Sequence, residues 1–269
     1  MKLQLVPART GMKWVREGIR IFMRMPLAFA GLLLMCLAAT ALLSRIPWVG
    51  EALLVPILLP AATVGLMAAT QQASNGRFPL PATLAIAFRQ SPRQTRAMLM
   101  LGLIYAGALL LIALITAALD DGELARFIAK HGNNFNPELI MADPELQQAV
   151  RASIRQIWVA TALYTPVSVL LWHAPALVHW YGLPVGKSLF FSAIAVLRNA
   201  RAYLVYGLGW TAVASVAWAG LLIVAAMAGN LAIALGGLLP LVVLIASMFA
   251  ASLWFTFRDS FAADGPPPT

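Results

Sequence analysis

Residues 202–257 read AYLVYGLGWTAVASVAWAGLLIVAAMAGNLAIALGGLLPLVVLIASMFAASLWFTF, and none of these 56 residues carries a charge. A helix needs about 20 mostly apolar residues to cross the hydrocarbon core of a bilayer. Two spans and a turn fit this stretch, and three do not. The turn is expected at Gly229-Asn230, where glycine and asparagine suit a tight reversal. The whole chain agrees. It is 61% hydrophobic and 11% charged, whereas soluble domains average roughly 45–50% and about 25%. A soluble fold is excluded, and so is disorder, which requires few apolar residues.

Working outward from that stretch, four more charge-poor runs are bounded by charges. They are Leu27–Ser44, Ala52–Thr70, Ala97–Leu119 and Ile157–Leu183. The expected fold is therefore all-α, a polytopic membrane protein of six transmembrane helices. An even number of spans puts both termini on one side. The 19 basic residues divide 14 to 5 between the two sides, and the ten acids divide 3 to 7. Basic loops stay in the cytoplasm, so the termini are expected there. The side bearing the termini carries a net +11 and the other −2.

The same side is expected to hold amphipathic helices. On a wheel of 100° per residue, Arg9, Lys13, Arg16, Arg20 and Arg24 fall within an arc of about 80°. Trp14, Val15, Gly18, Ile21 and Phe22 occupy the opposite side. This layout predicts a helix lying in the interface, its cations on anionic lipid of the cytoplasmic leaflet and its apolar face in the acyl boundary. The expected lipid contacts are Arg9, Lys13, Trp14, Arg16, Arg20 and Arg24. Replacing Arg16, Arg20 and Arg24 by glutamine is then expected to expose the segment to protease.

Two later segments share this layout. Ala82–Gln90 is apolar and leads to Ser91-Pro92-Arg93-Gln94, a capping box with proline at the first helical position. Gly186–Arg201 runs from apolar Leu189–Leu197 to Arg198 and Arg201. Each odd span thus follows a short apolar-then-basic helix, and each even span carries proline. The pattern suggests three repeats of one interfacial helix plus two spans.

Residues 120–156 form the one sizeable hydrophilic loop, expected in the periplasm. Helix starts are expected at Asn136-Pro137-Glu138 and Asp143-Pro144-Glu145, with a further short helix over Glu123–His131. The second start is expected to run on through Arg151 and Arg155 into span four. Small-residue pairs Gly65/Ala69, Gly102/Ala106 and Ser215/Ala219 fit close helix packing.

Chemical signatures are sparse. Cys36 is the lone cysteine, so neither an internal disulfide nor a thiolate metal site is expected. His173 and His179 lie in span four, where an ionisable group is a functional candidate. Six residues apart, they do not share a helix face and do not form a metal pair. No catalytic residues, cofactor, metal or nucleic acid are expected.

The opening VPARTGMKWVREGIRIFMRMPLAFAGLLLM and the ending SLWFTFRDSF, with Phe257-Arg258-Asp259, resemble a family of small, functionally uncharacterised proteobacterial inner-membrane proteins with six spans. That resemblance implies a bacterial inner membrane and a six-helix fold, and it implies no activity.

The chain is read as a single integral membrane domain, 1–269. It comprises a basic interfacial helix (1–26), spans one to three (27–119), the periplasmic loop (120–156), spans four to six (157–257) and a cytoplasmic tail (258–269). Its expected role is non-enzymatic, through lipid or an unidentified protein partner at the basic face. The alternative is a small-solute transporter or permease using His173. The orientation is checked with a reporter active only outside the cytoplasm. It should be active when fused at Asn133 and silent after Asp264; the reverse would overturn the charge argument.

Overall fold

The computed structural model describes residues 2–47, 49–119, 122, 126, 129 and 144–262, with only the backbone of Glu145, Leu146, Leu231 and Ala262. Nine α-helices carry the described chain. They are α1 (Thr10–Arg24), α2 (Pro26–Leu43), α3 (Val55–Ser74), α4 (Pro92–Ala118), α5 (Pro144–Leu171), α6 (Ala174–Tyr181), α7 (Val185–Arg198), α8 (Ala200–Met227) and α9 (Leu231–Ser260). A π-helical turn, Gly50–Leu54, leads into α3, and a 3₁₀ helix, Pro81–Phe88, precedes α4. Six segments are long and apolar enough to cross a membrane: Pro26–Leu43, Gly50–Ser74, Pro92–Ala118, Gln147–Tyr181, Ala200–Met227 and Ala232–Ser260. The protein is an all-α polytopic membrane protein.

Local chemistry accounts for the boundaries. The turn between α8 and α9 lies at Ala228–Asn230, where Gly229 has φ +60° and the Asn230 side chain accepts from the Ala232 N–H at 2.9 Å. The capping box before α4 forms as expected: Gln94 N–H donates to Ser91 Oγ, and Ser91 N–H donates to Gln94 Oε1. Short helices precede all three odd spans, the second of them 3₁₀ rather than α. Helix α5 begins at Pro144 and runs through Arg151 and Arg155, as the sequence suggested. Of the helix expected over Glu123–His131 only Arg126 and Ala129 are described, both helical; the helix start at Asn136-Pro137-Glu138 and Asp143 lie outside the described residues.

Span four differs from its expected form. The charge-poor run Ile157–Leu183 is continuous in composition, but the helix breaks at Trp172-His173. Pro175 lacks the N–H that would continue α5 and sits in the first turn of α6. The break is patched from α7: Ser192 Oγ accepts from His173 N–H at 2.9 Å and donates to Val169 C=O at 3.0 Å. One hydroxyl thus bridges the His173 N–H and the Val169 C=O, which would bond directly in an unbroken helix.

The chain divides into two compact units, Met1–Leu103 with Val169–Thr269, and Ile104–Ser168. In the smaller unit the phenols of Tyr105 and Tyr164 meet at 3.2 Å, joining α4 to α5. In the larger unit the core gathers at the end of α8 and α9 where the termini meet. Ala202, Tyr206 and Trp210 of α8 and Ala250, Ala251, Trp254, Phe255 and Phe257 of α9 are buried there, with Trp14, Phe22 and Phe29. The far halves of the same helices show Val216, Ile223, Met227, Leu235 and Leu239 on their surface. These side chains suit hydrocarbon.

Chain termini close this core. Lys2–Leu3 (β1) pairs antiparallel with Phe261–Ala262 (β2). Asn199, between α7 and α8, accepts from Val6 N–H at 2.9 Å and donates to Gln4 C=O at 3.0 Å. Its amide holds the N-terminal strand as a neighbouring strand would.

Close contacts of glycine set the helix seams. A Cβ on Gly18 would lie 2.5 Å from Ser252 Cβ and 2.8 Å from Met248 C=O. Gly65 meets Leu84 of the 3₁₀ helix and Gly102 meets Ile57 of α3 in the same way. Ser215 and Ala219, the third small-residue pair, are exposed and form no such seam. Overpacking typically costs about 1–3 kcal/mol, so Gly18→Leu should lower stability in detergent by about that amount and loosen α1 to protease. Gly31→Ala, in the interior of α2 with no neighbour within 4 Å, should keep or slightly raise stability, since alanine favours a helix interior by about 0.5–1 kcal/mol.

Candidate functional site

Helix α1 is amphipathic as expected, but its apolar side is covered by protein. Gly11, Trp14, Val15, Gly18, Ile21 and Phe22 are buried, packed mainly on α9 and α8. This corrects two expectations. Trp14 is not a lipid contact: it has no exposed surface, because its ring packs on Tyr203 and Tyr206 at 5.2 and 5.9 Å between centroids. The apolar face of α1 is likewise not in the acyl boundary. Replacing Arg16, Arg20 and Arg24 by glutamine should therefore leave protease resistance of the helix intact, since those side chains do not hold it.

A polar lock fixes α1 in place. The Trp14 indole N–H donates to Asp259 Oδ2 at 3.1 Å. Arg258 donates to Asp259 Oδ1 at 2.8 Å and to Glu17 Oε2 at 3.1 Å. Lys13 Nζ lies 3.5 Å from Asp259 and 4.0 Å from Glu17. The Arg258 guanidinium also stacks over Phe255, 4.9 Å from the ring centroid. Individual pairs at partly exposed positions are worth at most about 1 kcal/mol. Their effect here is geometric, since they fix the rotation of α1 about its own axis.

That rotation decides what α1 displays. Arg9, Lys13, Arg16, Arg20 and Arg24 are all exposed. Lys13 has acidic partners, while Arg9, Arg16, Arg20 and Arg24 form no ion pair among the described residues. Arg9, Lys13, Arg16 and Arg20 border a recess of about 640 Å³, with Pro7, Thr10, Met12 and Glu17 completing its wall. The structure therefore brings together every sequence-predicted cation except Arg24 in one concavity.

His173 lies elsewhere. Its ring has no exposed surface and is enclosed by Tyr203, Phe257 and Phe261 at 6.0, 5.8 and 5.4 Å between centroids. Nε2 is hydrogen-bonded to the Tyr203 hydroxyl, which lies 3.5 Å from Ser260 Oγ. Nδ1 has no partner among the described residues. Next to it, the Trp172 indole donates to Thr256 Oγ1 at 3.3 Å, and Tyr206 meets Ser252 Oγ at 2.5 Å. Because Ser252 donates its own proton to Phe249 C=O, the Tyr206 phenol is the donor in that pair. His179 is bonded to Gln90 at 3.3 Å, so the two histidines do not meet. Among the described residues no three metal-ligating side chains cluster.

An apolar cleft of about 350 Å³ opens between α2, α3 and the 3₁₀ helix, with Cys36, Thr40, Leu59 and Phe88 on its walls. The Thr40 hydroxyl is committed to Cys36 C=O at 2.9 Å, so the cleft offers little polar chemistry.

Residues that sequence reasoning missed are the partners rather than the cations. Glu17 is the one acid in the first 50 residues and falls beside the cationic arc, a readable sign of a local ion pair. Asp259, Tyr203 and Asn199 gave no such sign, since each acts across a large sequence separation.

Comparison with known proteins fixes the class. The chain is 36% identical over 269 residues to a probable inner membrane protein of Burkholderia thailandensis, covering 99% of this chain and 96% of that protein. The chain belongs to that inner-membrane protein family. No family model and no solved structure matches it. In this family member the Phe257-Arg258-Asp259 ending, quoted above for its resemblance, has a concrete task. Phe257 walls in His173, Arg258 reaches Glu17, and Asp259 receives Trp14.

The His173–Tyr203 bond can be tested by a double-mutant cycle. His173→Ala and Tyr203→Phe should each destabilise the protein, with a coupling of about 1 kcal/mol between them. Strictly additive losses in detergent denaturation would show that the two groups are only neighbours.

Proposed function

We propose that this protein is a non-catalytic inner-membrane protein whose working surface is the exposed cationic edge of α1, held against anionic lipid at the cytoplasmic leaflet. One observation carries the reading. The apolar side of α1 is buried in protein, and Arg9, Arg16, Arg20 and Arg24 are left exposed without acidic partners among the described residues. A helix that needed lipid only as an anchor would present its apolar face to the membrane. Here that face is occupied, and the cations are displayed on a fixed frame. Juxtamembrane cations contribute about 1 kcal/mol each on an anionic surface, less at physiological salt.

The charge distribution supports a cytoplasmic placement of this edge. The transporter reading depended on an accessible His173 in mid-span. Enclosure of that ring by Tyr203, Phe257 and Phe261, beside a patched helix break, favours a structural role for it.

The test extracts the full-length protein from native membrane in polymer-bounded discs and compares the lipids retained with bulk membrane. Wild type should be enriched in anionic phospholipid. The variant with Arg9, Arg16, Arg20 and Arg24 changed to glutamine should match the bulk, at normal abundance. Equal lipid composition for the two proteins would sink the proposal.

A further inference from the structure

The recess beside α1 has more structure than a general basic surface. Arg9 and Lys13 stand four residues apart, and so do Arg16 and Arg20, so each pair projects from one face as neighbours. The midpoints of the two pairs are seven residues apart, about 10 Å along a helix rising 1.5 Å per residue. Flexible side chains of several Å can draw their charged ends closer than that. The recess therefore offers two cationic clamps in tandem within one concavity of about 640 Å³.

Charge sets the stoichiometry. Four cations border the recess with one acid, Glu17, and Lys13 also faces Asp259 at 3.5 Å. Arg258 bonds both of these acids, so five cations stand against two acids, and the excess is three positive charges, carried by Arg9, Arg16 and Arg20. A headgroup with one phosphate would leave one clamp unoccupied, whereas two linked phosphates fill both. Met12 and Met23 lie exposed on the shoulder of α1 next to Arg16, an apolar strip fit for the acyl chains of a lipid and of no use to a free anion.

We infer that this recess holds the headgroup of a phospholipid bearing two phosphates, in preference to lipids bearing one. The inference rests on the proposed anionic-lipid function and gives it a specific ligand class. The lock of Trp14, Asp259, Arg258 and Glu17 holds the clamps in register before any lipid arrives, so little ordering accompanies binding.

The experiment uses the full-length protein in neutral detergent, with bound lipid counted by native mass spectrometry. Cardiolipin is titrated against phosphatidylglycerol at twice the molar concentration, so that total lipid charge is equal, with phosphatidylcholine as the uncharged reference. Cardiolipin should bind with about tenfold higher affinity than phosphatidylglycerol. Arg16→Gln with Arg20→Gln should abolish that preference, while Arg93→Gln with Arg96→Gln, equal in charge but outside the recess, should keep it. Pyrophosphate is added as a soluble competitor and should displace cardiolipin only in large excess. Equal binding of cardiolipin and phosphatidylglycerol would overturn the two-phosphate site and leave the anionic-lipid function standing. Binding of both no better than phosphatidylcholine would overturn the two together. Displacement by stoichiometric pyrophosphate would assign the recess to a free anion and overturn the lipid assignment. Loss of preference in the Arg93/Arg96 variant would show that bulk charge, not the recess, makes the selection.

Discussion

A buried indole N–H is stabilised by an acceptor, and that of Trp14 donates to the Asp259 carboxylate. That bond joins the first helix to the end of the last one. Around it the aromatic core of the larger unit is laid out: Tyr203 and Tyr206 flank Trp14, Trp172 stacks edgewise on both, and His173 closes the group against Phe257 and Phe261. Both acids of the lock face cations, and the exposed arginines are what remains. The display of charge on α1 therefore follows from where a single tryptophan is anchored.

The spans were legible because their signal is length without charge, which depends on the bilayer and on nothing else in the fold. All six fell where the charge-poor runs placed them, and the α8–α9 turn fell on Gly229-Asn230. Only the break inside the fourth went unread. Pro175 ends α5 early, yet its neighbours are so apolar that the run continues unbroken in composition. The apolar stripe of α1 was also legible, whereas its cover was not. Periodicity states that Trp14, Val15, Gly18 and Phe22 share a side, and lipid and protein satisfy that side equally well. Gly11 and Gly18 were the available clue, because glycine at both positions admits the backbone of α8 and the side chains of α9. Asn199 and Tyr203 were invisible, since hydrogen bonds 193 and 30 residues away in sequence leave no local pattern.

Burial in the larger unit is uneven, and that unevenness fits a membrane setting. Where the termini meet, large aromatic side chains pack densely and hydroxyls of Ser252, Thr256 and Ser247 are turned onto carbonyls of their own helices. Such internal bonding lets polar side chains sit in an apolar core without a distant partner. Farther along α8 and α9, smooth aliphatic surfaces replace this packing, since lipid tails do not drive helices together as water would.

The pairing of the two chain ends also imposes an order on assembly. Trp14 and Asp259 are 245 residues apart, and the partners of α1 lie on the last two spans. During synthesis α1 emerges first, and its binding site is completed last. Throughout that interval its apolar side has no protein cover, and an amphipathic helix in that state rests at the membrane surface. Enclosure of α1 therefore depends on segments that lie at the far end of the sequence from it.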